Sequence, residues 1–335
     1  MSDPIITIQD LTKHYDSVTA VDGLTLTIGK GEVFGLCGPN GAGKTTTILM
    51  LLGLSEPSSG TAFVSGIDCT RNPLRVKKLV GYLPDNAGFY PDMTGRENLR
   101  FTGAMNGLSG QVLEERIAQL LRRTGMEEAA DRKTSTYSKG MKQRLGIADI
   151  LVKDPDVLIL DEPTNGIDPQ GMRELMQLIR ELAEKDGKTI LISSHQLYQI
   201  QQICDRVGIF VKGKLIACGR IDELGRQMGG KHGFTLEVKA APANSRGMQL
   251  LLSLPGVENA ELEEGMWTIR SDRDVSGEAV RLLVENGFRI THVRQRSGDL
   301  DEIYAQYFEE AGDIRATQTS GKQRKAADGL RSSVS

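Results

Sequence analysis

The stretch Val33-Phe-Gly-Leu-Cys-Gly38-Pro-Asn-Gly-Ala-Gly43-Lys44-Thr45-Thr46 decides the fold. Its first five residues are continuously apolar, the form taken by a strand buried on both faces of a parallel sheet. The rest fits G-x-x-x-x-G-K-[ST] from Gly38 to Thr45, and a helix is expected to begin near Lys44. Glycines at 38, 41 and 43 let the backbone fold tightly, so that successive amides of the loop Gly38, Pro39, Asn40, Gly41, Ala42 and Gly43 face one concavity. The helix amino terminus that follows adds the positive end of its dipole. Lys44 can reach the outer phosphates of a bound nucleotide, Thr45 can offer its hydroxyl to Mg²⁺, and Thr46 continues the first turn. Strand, loop and helix together predict a nucleotide phosphate site.

A second signal, Val157-Leu-Ile-Leu-Asp161-Glu162, repeats the buried apolar strand and ends it in two carboxylates. Acids at the carboxyl end of such a strand emerge at the sheet edge where ligands bind. Asp161 is suited to Mg²⁺ through water, and Glu162 to orienting or deprotonating a water in line with a terminal phosphate.

Around these two signals, strand and helix patterns alternate from Ile5 to about Gly230. Ile5 to Asp10 and Leu24 to Ile28 read as half-exposed strands, and Thr189 to Ser193 as a buried one. Helices are expected on both faces of the sheet. Gly110 to Thr134 is charged and helix-prone, with Leu113, Ile117, Leu120 and Leu121 at helical spacing, and predicts a helical insertion. Gly229-Gly230 marks a linker. Beyond it the order is strand (234–239), helix (245–254), strand (260–263), strand (266–271), helix (276–286) and strand (289–294), which is the ferredoxin-like β-α-β-β-α-β arrangement. A last helix is expected over 300–310. The domain reading is therefore 1–228 for the α/β module and 232–311 for a small α+β module, with 312–335 a disordered tail poor in apolar residues.

Composition excludes several classes. The 41 basic and 44 acidic side chains nearly balance, which argues against a polyanion trap, and no nucleic-acid partner is expected. Aromatic residues are only 5% of the chain, too few for a single-strand stacking platform. No apolar run reaches the roughly 18 residues of a spanning helix, so work at a membrane would need a separate anchor. Cys37, Cys69, Cys204 and Cys218 have no metal-ligand spacing and suit a reducing compartment.

From Ile5 to Gly219 the chain resembles the nucleotide-binding subunit of an ATP-binding-cassette transporter. Besides the two signals above, Tyr137-Ser-Lys-Gly-Met-Lys-Gln-Arg144 looks like the family signature, usually L-S-G-G-Q. His195 matches the switch histidine, Asn165-Gly-Ile-Asp168 the segment that joins two subunits, and Tyr15 the aromatic residue stacked on adenine. The resemblance implies an ATPase with ATP and Mg²⁺ as cofactors, and Glu162 and His195 as catalytic residues. Thr45, Asp161 and Asp85 would hold the metal. Ser138, Lys139, Gly140 and Met141 would face the ATP of a partner subunit across an ATP-bound dimer, homodimeric or with a related ATPase, to which Asp168 contributes. It also implies docking on an integral membrane permease through Phe89, Tyr90 and Met93, and a peripheral position on the cytoplasmic side of the membrane. The chain departs from the family at Lys139, commonly Gly, at Met141, usually Gln, and at Asp85, usually Gln or Glu. The signature variant looks like that of export-type subunits encoded apart from their permease. A soluble clamp on ribosomes or nucleic acid is the competing class, although neither a second cassette nor a long coiled coil is present, and an importer ATPase stays open on motifs alone.

Overall fold

The computed structural model describes residues 4–221, 223–224, 234–263 and 265–295, and the chain divides into two units, Met1–Gly219 and Arg220–Ser335. The first unit opens with a hairpin of two long strands, β1 (Pro4–Tyr15) and β2 (Val18–Gly29), turning at Asp16 with φ 46°. Aspartate tolerates that left-handed conformation because its short polar side chain bonds locally. β3 (Val33–Cys37) is fully buried and leads through the glycine loop into α1 (Lys44–Leu51). Next come β4 (Ser59–Val64), β5 (Ile67–Asp68), α2 (Pro73–Leu79) and β6 (Val80–Leu83).

A helical segment then interrupts the sheet. α3 (Gly95–Met105) starts at a capping box between Thr94 and Glu97, which satisfies two amides that the first turn leaves open. In α4 (Gly110–Arg123) the residues that go inward are Leu113, Ile117, Leu120 and Leu121, the stripe set by their spacing. The helix stops at Arg123, short of the expected Thr134, where Gly125 takes φ 67°. α5 (Lys139–Leu151) is capped by Ser138. The chain re-enters the sheet with β7 (Val157–Asp161), α6 (Pro169–Glu184), β8 (Thr189–Ser194), the short α7 (Leu197–Ile200), β9 (Arg206–Val211) and β10 (Lys214–Gly219).

The central sheet has the order β10-β9-β3-β8-β7-β6, parallel except for β10. β8 therefore lies between the strand that feeds the glycine loop and the strand that ends in the acid pair. In register, Cys37 faces Ser194 and Asp161 faces Ser193, so three strand ends deliver their next residues to one edge. A second, antiparallel sheet has the order β2-β1-β4-β5. Its apolar face, with Ile6, Ile8, Leu24 and Ile28, joins Phe34, Leu36, Ile159 and Phe210 of the central sheet and Ile48 of α1 in one core. α1 contacts strands of both sheets and contributes Ile48, Met50 and Leu51 to that core.

The second unit contains β11 (Phe234–Ala241), α8 (Ser245–Leu252), β12 (Val257–Glu263), β13 (Met266–Ser271), α9 (Ser276–Glu285) and β14 (Arg289–Gln295). Its antiparallel sheet runs β12-β13-β11-β14, the ferredoxin-like order. Trp267 lies at the centre of its core, edge-on to Phe288 at 5.6 Å. A side chain at Gly247 would collide with the indole, so α8 approaches the sheet only because a glycine stands there. The expected linker at Gly229-Gly230, the helix over 300–310 and the tail over 312–335 lie outside the described residues.

Candidate functional site

The glycine loop takes its shape from close backbone approaches. A Cβ at Gly38 would collide with the carbonyl of Phe210, and one at Gly43 (φ 108°) with the carbonyl of Ala20. Inside the loop the Ala42 amide donates to the Pro39 carbonyl at 3.1 Å, and the Ala42 carbonyl accepts from Gly213 at 2.9 Å. Asn40, Gly41 and Thr45 are exposed and Thr46 is half-buried. Gly43 precedes α1 without a side-chain cap, so no side chain satisfies the first amides of that helix. Such amides bind an anion well.

Lys44 is 5% exposed, and its ammonium donates to the carbonyls of Gly38 at 2.6 Å and Pro39 at 3.1 Å. It also lies 3.3 Å from Oε1 of Glu162. Thr45 Oγ1 donates to Oδ2 of Asp161 at 3.0 Å, and the other Asp161 oxygen accepts from the hydroxyl of Ser193. The same Ser193 hydroxyl accepts from the Glu162 amide at 3.0 Å. Ser193 thus positions both acids from the intervening strand. Glu162 has φ 50°, a conformation costly for a side chain with a Cβ and one that gathers at functional sites. Its Oε2 meets His195 Nδ1 at 2.7 Å and the His195 amide at 3.2 Å, while Oε1 is buried without a hydrogen bond. His195 Nε2 is 3.2 Å from Gln196, so its ring partners are Glu162 and Gln196 rather than the neighbouring serines.

One edge therefore brings Lys44, Thr45, Asp161, Glu162 and His195 together from three separate stretches of sequence. Asp85 is engaged elsewhere. Its Oδ1 lies 3.2 Å from the Lys139 ammonium and accepts from Asn165 Nδ2 at 3.2 Å. Two positions that depart from the family pattern are thus each other's partners. Ser138 caps α5 by accepting from the Met141 amide at 3.2 Å, and Lys139, Gly140 and Met141 form that helix's first turn. Asp168 caps α6, and the Gly171 amide, 3.0 Å away, is the main cause holding its carboxyl below the usual range. Tyr15 is 46% exposed, with its hydroxyl 3.3 Å from Ser55 and Lys13 over its ring at 4.8 Å. Ser193, Gln143 and Asn165 were not singled out as site residues by the sequence, because their partners are set by neighbouring strands and helices rather than by spacing.

A family model described as ABC transporter matches residues 21–165. The bacitracin transport ATP-binding protein BcrA of Bacillus licheniformis is 36% identical over 90% of this chain and 96% of its own length. The daunorubicin/doxorubicin resistance ATP-binding protein DrrA of Streptomyces peucetius is 34% identical over 95% of this chain and 96% of its own. Among solved structures, an ATP-binding subunit of an ABC transporter superposes with a TM-score of 0.61 at 32% identity, covering 67% of this chain and 93% of that one.

Proposed function

The chain belongs to the ATP-binding subunits of ABC transporters, and on that premise we propose that two copies close around two ATP molecules to drive export through a separate membrane permease. The observation that carries the catalytic part is Glu162, whose buried Oε1 has no hydrogen bond and faces the Lys44 ammonium at 3.3 Å, while His195 fixes Oε2. An acceptor so placed takes a proton from a water. As that water's oxygen bonds to the γ-phosphorus, the bond to the β–γ bridging oxygen breaks, and ADP and phosphate result. Lys44 leaves its carbonyl partners for the transferring phosphoryl group, the loop amides and α1 hold the β-phosphate, and His195 donates to the γ-phosphate.

Thr45 and Asp161 fit Mg²⁺. Their oxygens are hard donors 3.0 Å apart, and an ion that keeps most of its waters needs few protein ligands. The ion would supply charge neutralisation on the phosphates. Tyr15 stacks on adenine. Ser138, Lys139, Gly140 and Met141 meet the nucleotide of the other copy, and Asp168 lies at the contact between copies. Since ATP binds the closed pair better than the open one, it shifts the population toward closure, and loss of the γ-phosphate reverses the shift.

Export is supported by relatives named for Nod factor export, bacitracin transport and daunorubicin/doxorubicin resistance. Among the described residues no helix is long and apolar enough to cross a membrane. The subunit is placed, on this reading, at the cytoplasmic face, docked on its permease. Tyr90 is 53% exposed and edge-on to Phe101 at 5.0 Å, with Phe89 and Met93 half-buried nearby in the chain and Met105 exposed on the same helix as Phe101. These side chains offer an apolar socket for a short helix.

The test is Glu162→Gln. Binding of ATP is expected to persist within about twofold, turnover to fall by about 10²-fold or more, and ATP-bound dimers to accumulate in sedimentation. Hydrolysis near the parent rate would remove Glu162 from this role.

A further inference from the structure

The segment Leu83–Asp85 leaves β6 along one face of α5. Lys139, Gln143 and Gly146 stand on that face at i, i+4 and i+7. A side chain at Gly146 would collide with Leu83, so the glycine is what lets the helix lie against the strand exit. One turn earlier Gln143, 1% exposed, donates to the backbone carbonyl of Asp85 at 3.0 Å. A further turn back, the Lys139 ammonium reaches the Asp85 carboxylate at 3.2 Å. Consecutive turns of the same helix therefore grip Asp85 by main chain and by side chain.

From the opposite side, Asn165 Nδ2 reaches both oxygens of that carboxylate, at 3.2 and 3.4 Å. Asn165 belongs to the turn directly after Glu162, where its amide donates to the Glu162 carbonyl at 3.1 Å. In the same turn, a Cβ added at Gly166 (φ 70°) would lie only 3.1 Å from Lys139 Cδ, so the stem of the lysine passes close over a residue without a side chain. One carboxylate thus joins three parts of the unit: the exit of β6, the first turn of the signature helix and the turn behind the catalytic acid.

We infer that Asp85 is a positioning residue that acts through Lys139 and Asn165, setting the first turn of α5 against the turn after Glu162. This rests on the reading that the signature meets the nucleotide of a second copy, and it assigns Asp85 to that contact instead of to the metal. Geometry favours the assignment, because Asp85 Oδ1 is shared by Lys139 and Asn165, whereas the oxygens of Asp161 are shared by Thr45 and Ser193. A side-chain amide and an ammonium orient a carboxylate firmly, since both are donors directed at its lone pairs.

A charge-exchange cycle in the full chain tests this, in the Glu162→Gln background where ATP-driven dimers are read by sedimentation. Asp85→Lys and Lys139→Asp are each expected to weaken dimerisation about tenfold, and the double exchange to recover most of that loss, because contacting residues couple strongly. Asp85→Ser and Lys139→Gln give a second cycle, expected to be non-additive, that does not depend on tolerating reversed charges. Affinity of the single copy for a fluorescent ATP analogue should stay within about twofold throughout. Additive losses in both cycles would overturn the inference. So would a rise in the Mn²⁺ concentration needed for dimerisation in Asp85→Ser that is the same whatever stands at 139, since that marks a metal ligand. Absence of ATP-driven dimers in the Glu162→Gln parent itself would overturn the underlying reading, and the inference with it.

Discussion

Asp149 lies on α5 with Oδ1 buried and without a hydrogen bond among the described residues. Burial is the main cause that pushes its carboxyl up to about 6, against the opposing pull of the Thr102 hydroxyl and Lys153. Between the ordinary value of 3.8 and about 6, the folded chain keeps a proton that the unfolded chain has released. Stability from this group is therefore complete below the ordinary value and falls as pH rises through that window, by on the order of 3 kcal/mol. Asp149→Asn is expected to remove that part of the slope, and urea midpoints measured from pH 4 to 7 would show it. An unchanged slope would mean the carboxyl titrates normally. At this scale the sequence spoke clearly wherever chemistry is contiguous: Gly38 to Thr45 and Asp161-Glu162 are each a short run whose spacing is the mechanism. It did not give the partners of Ser193, Asn165 and Gln143, which are set only when β8, the turn after β7 and α5 are laid side by side. Nor does spacing pair His195 with Glu162, which is distant in sequence.

Elements were legible in proportion to the regularity of their burial. α4 followed from four apolar positions at helical spacing, and Ile117 at its centre is fully buried. Replacing Ile117 by alanine leaves a cavity that the surrounding helices cannot close completely. A cost of about 2–5 kcal/mol is expected, read as a lower urea midpoint with an unchanged slope. A cost below about 0.5 kcal/mol would mean that α4 packs loosely on its neighbours. The hairpin of β1 and β2 was harder to read. Alternation holds from Ile6 to Ile8, but register shifts between Ile8 and Leu11 and between Leu11 and Lys13 break the period, so the strand continues to Tyr15 where the pattern stops announcing it. A bulge moves later side chains to the other face. The small α+β unit, in which β11 and β13 pair without a register shift, matched its expected order closely.

At the scale of the molecule, two separate cores imply two cooperative units, one around Ile8, Phe34 and Ile48 and the other around Trp267. The chain has a single tryptophan, Trp267, and it is fully buried. Indole fluorescence therefore reports the second unit alone, while calorimetry sees both. ATP binds the first unit through the glycine loop, and at about one hundred times its dissociation constant it should stabilise that unit by about 2.7 kcal/mol. For a unit of this size, that is a rise of about 5–11 °C in its melting temperature. The expected result is a calorimetric transition that moves with nucleotide and a tryptophan transition that does not. A Lys44→Ala variant should lose the calorimetric shift, which ties it to the phosphate loop. If fluorescence and heat capacity move together, the two cores unfold as one cooperative body, and the separation into independent units fails.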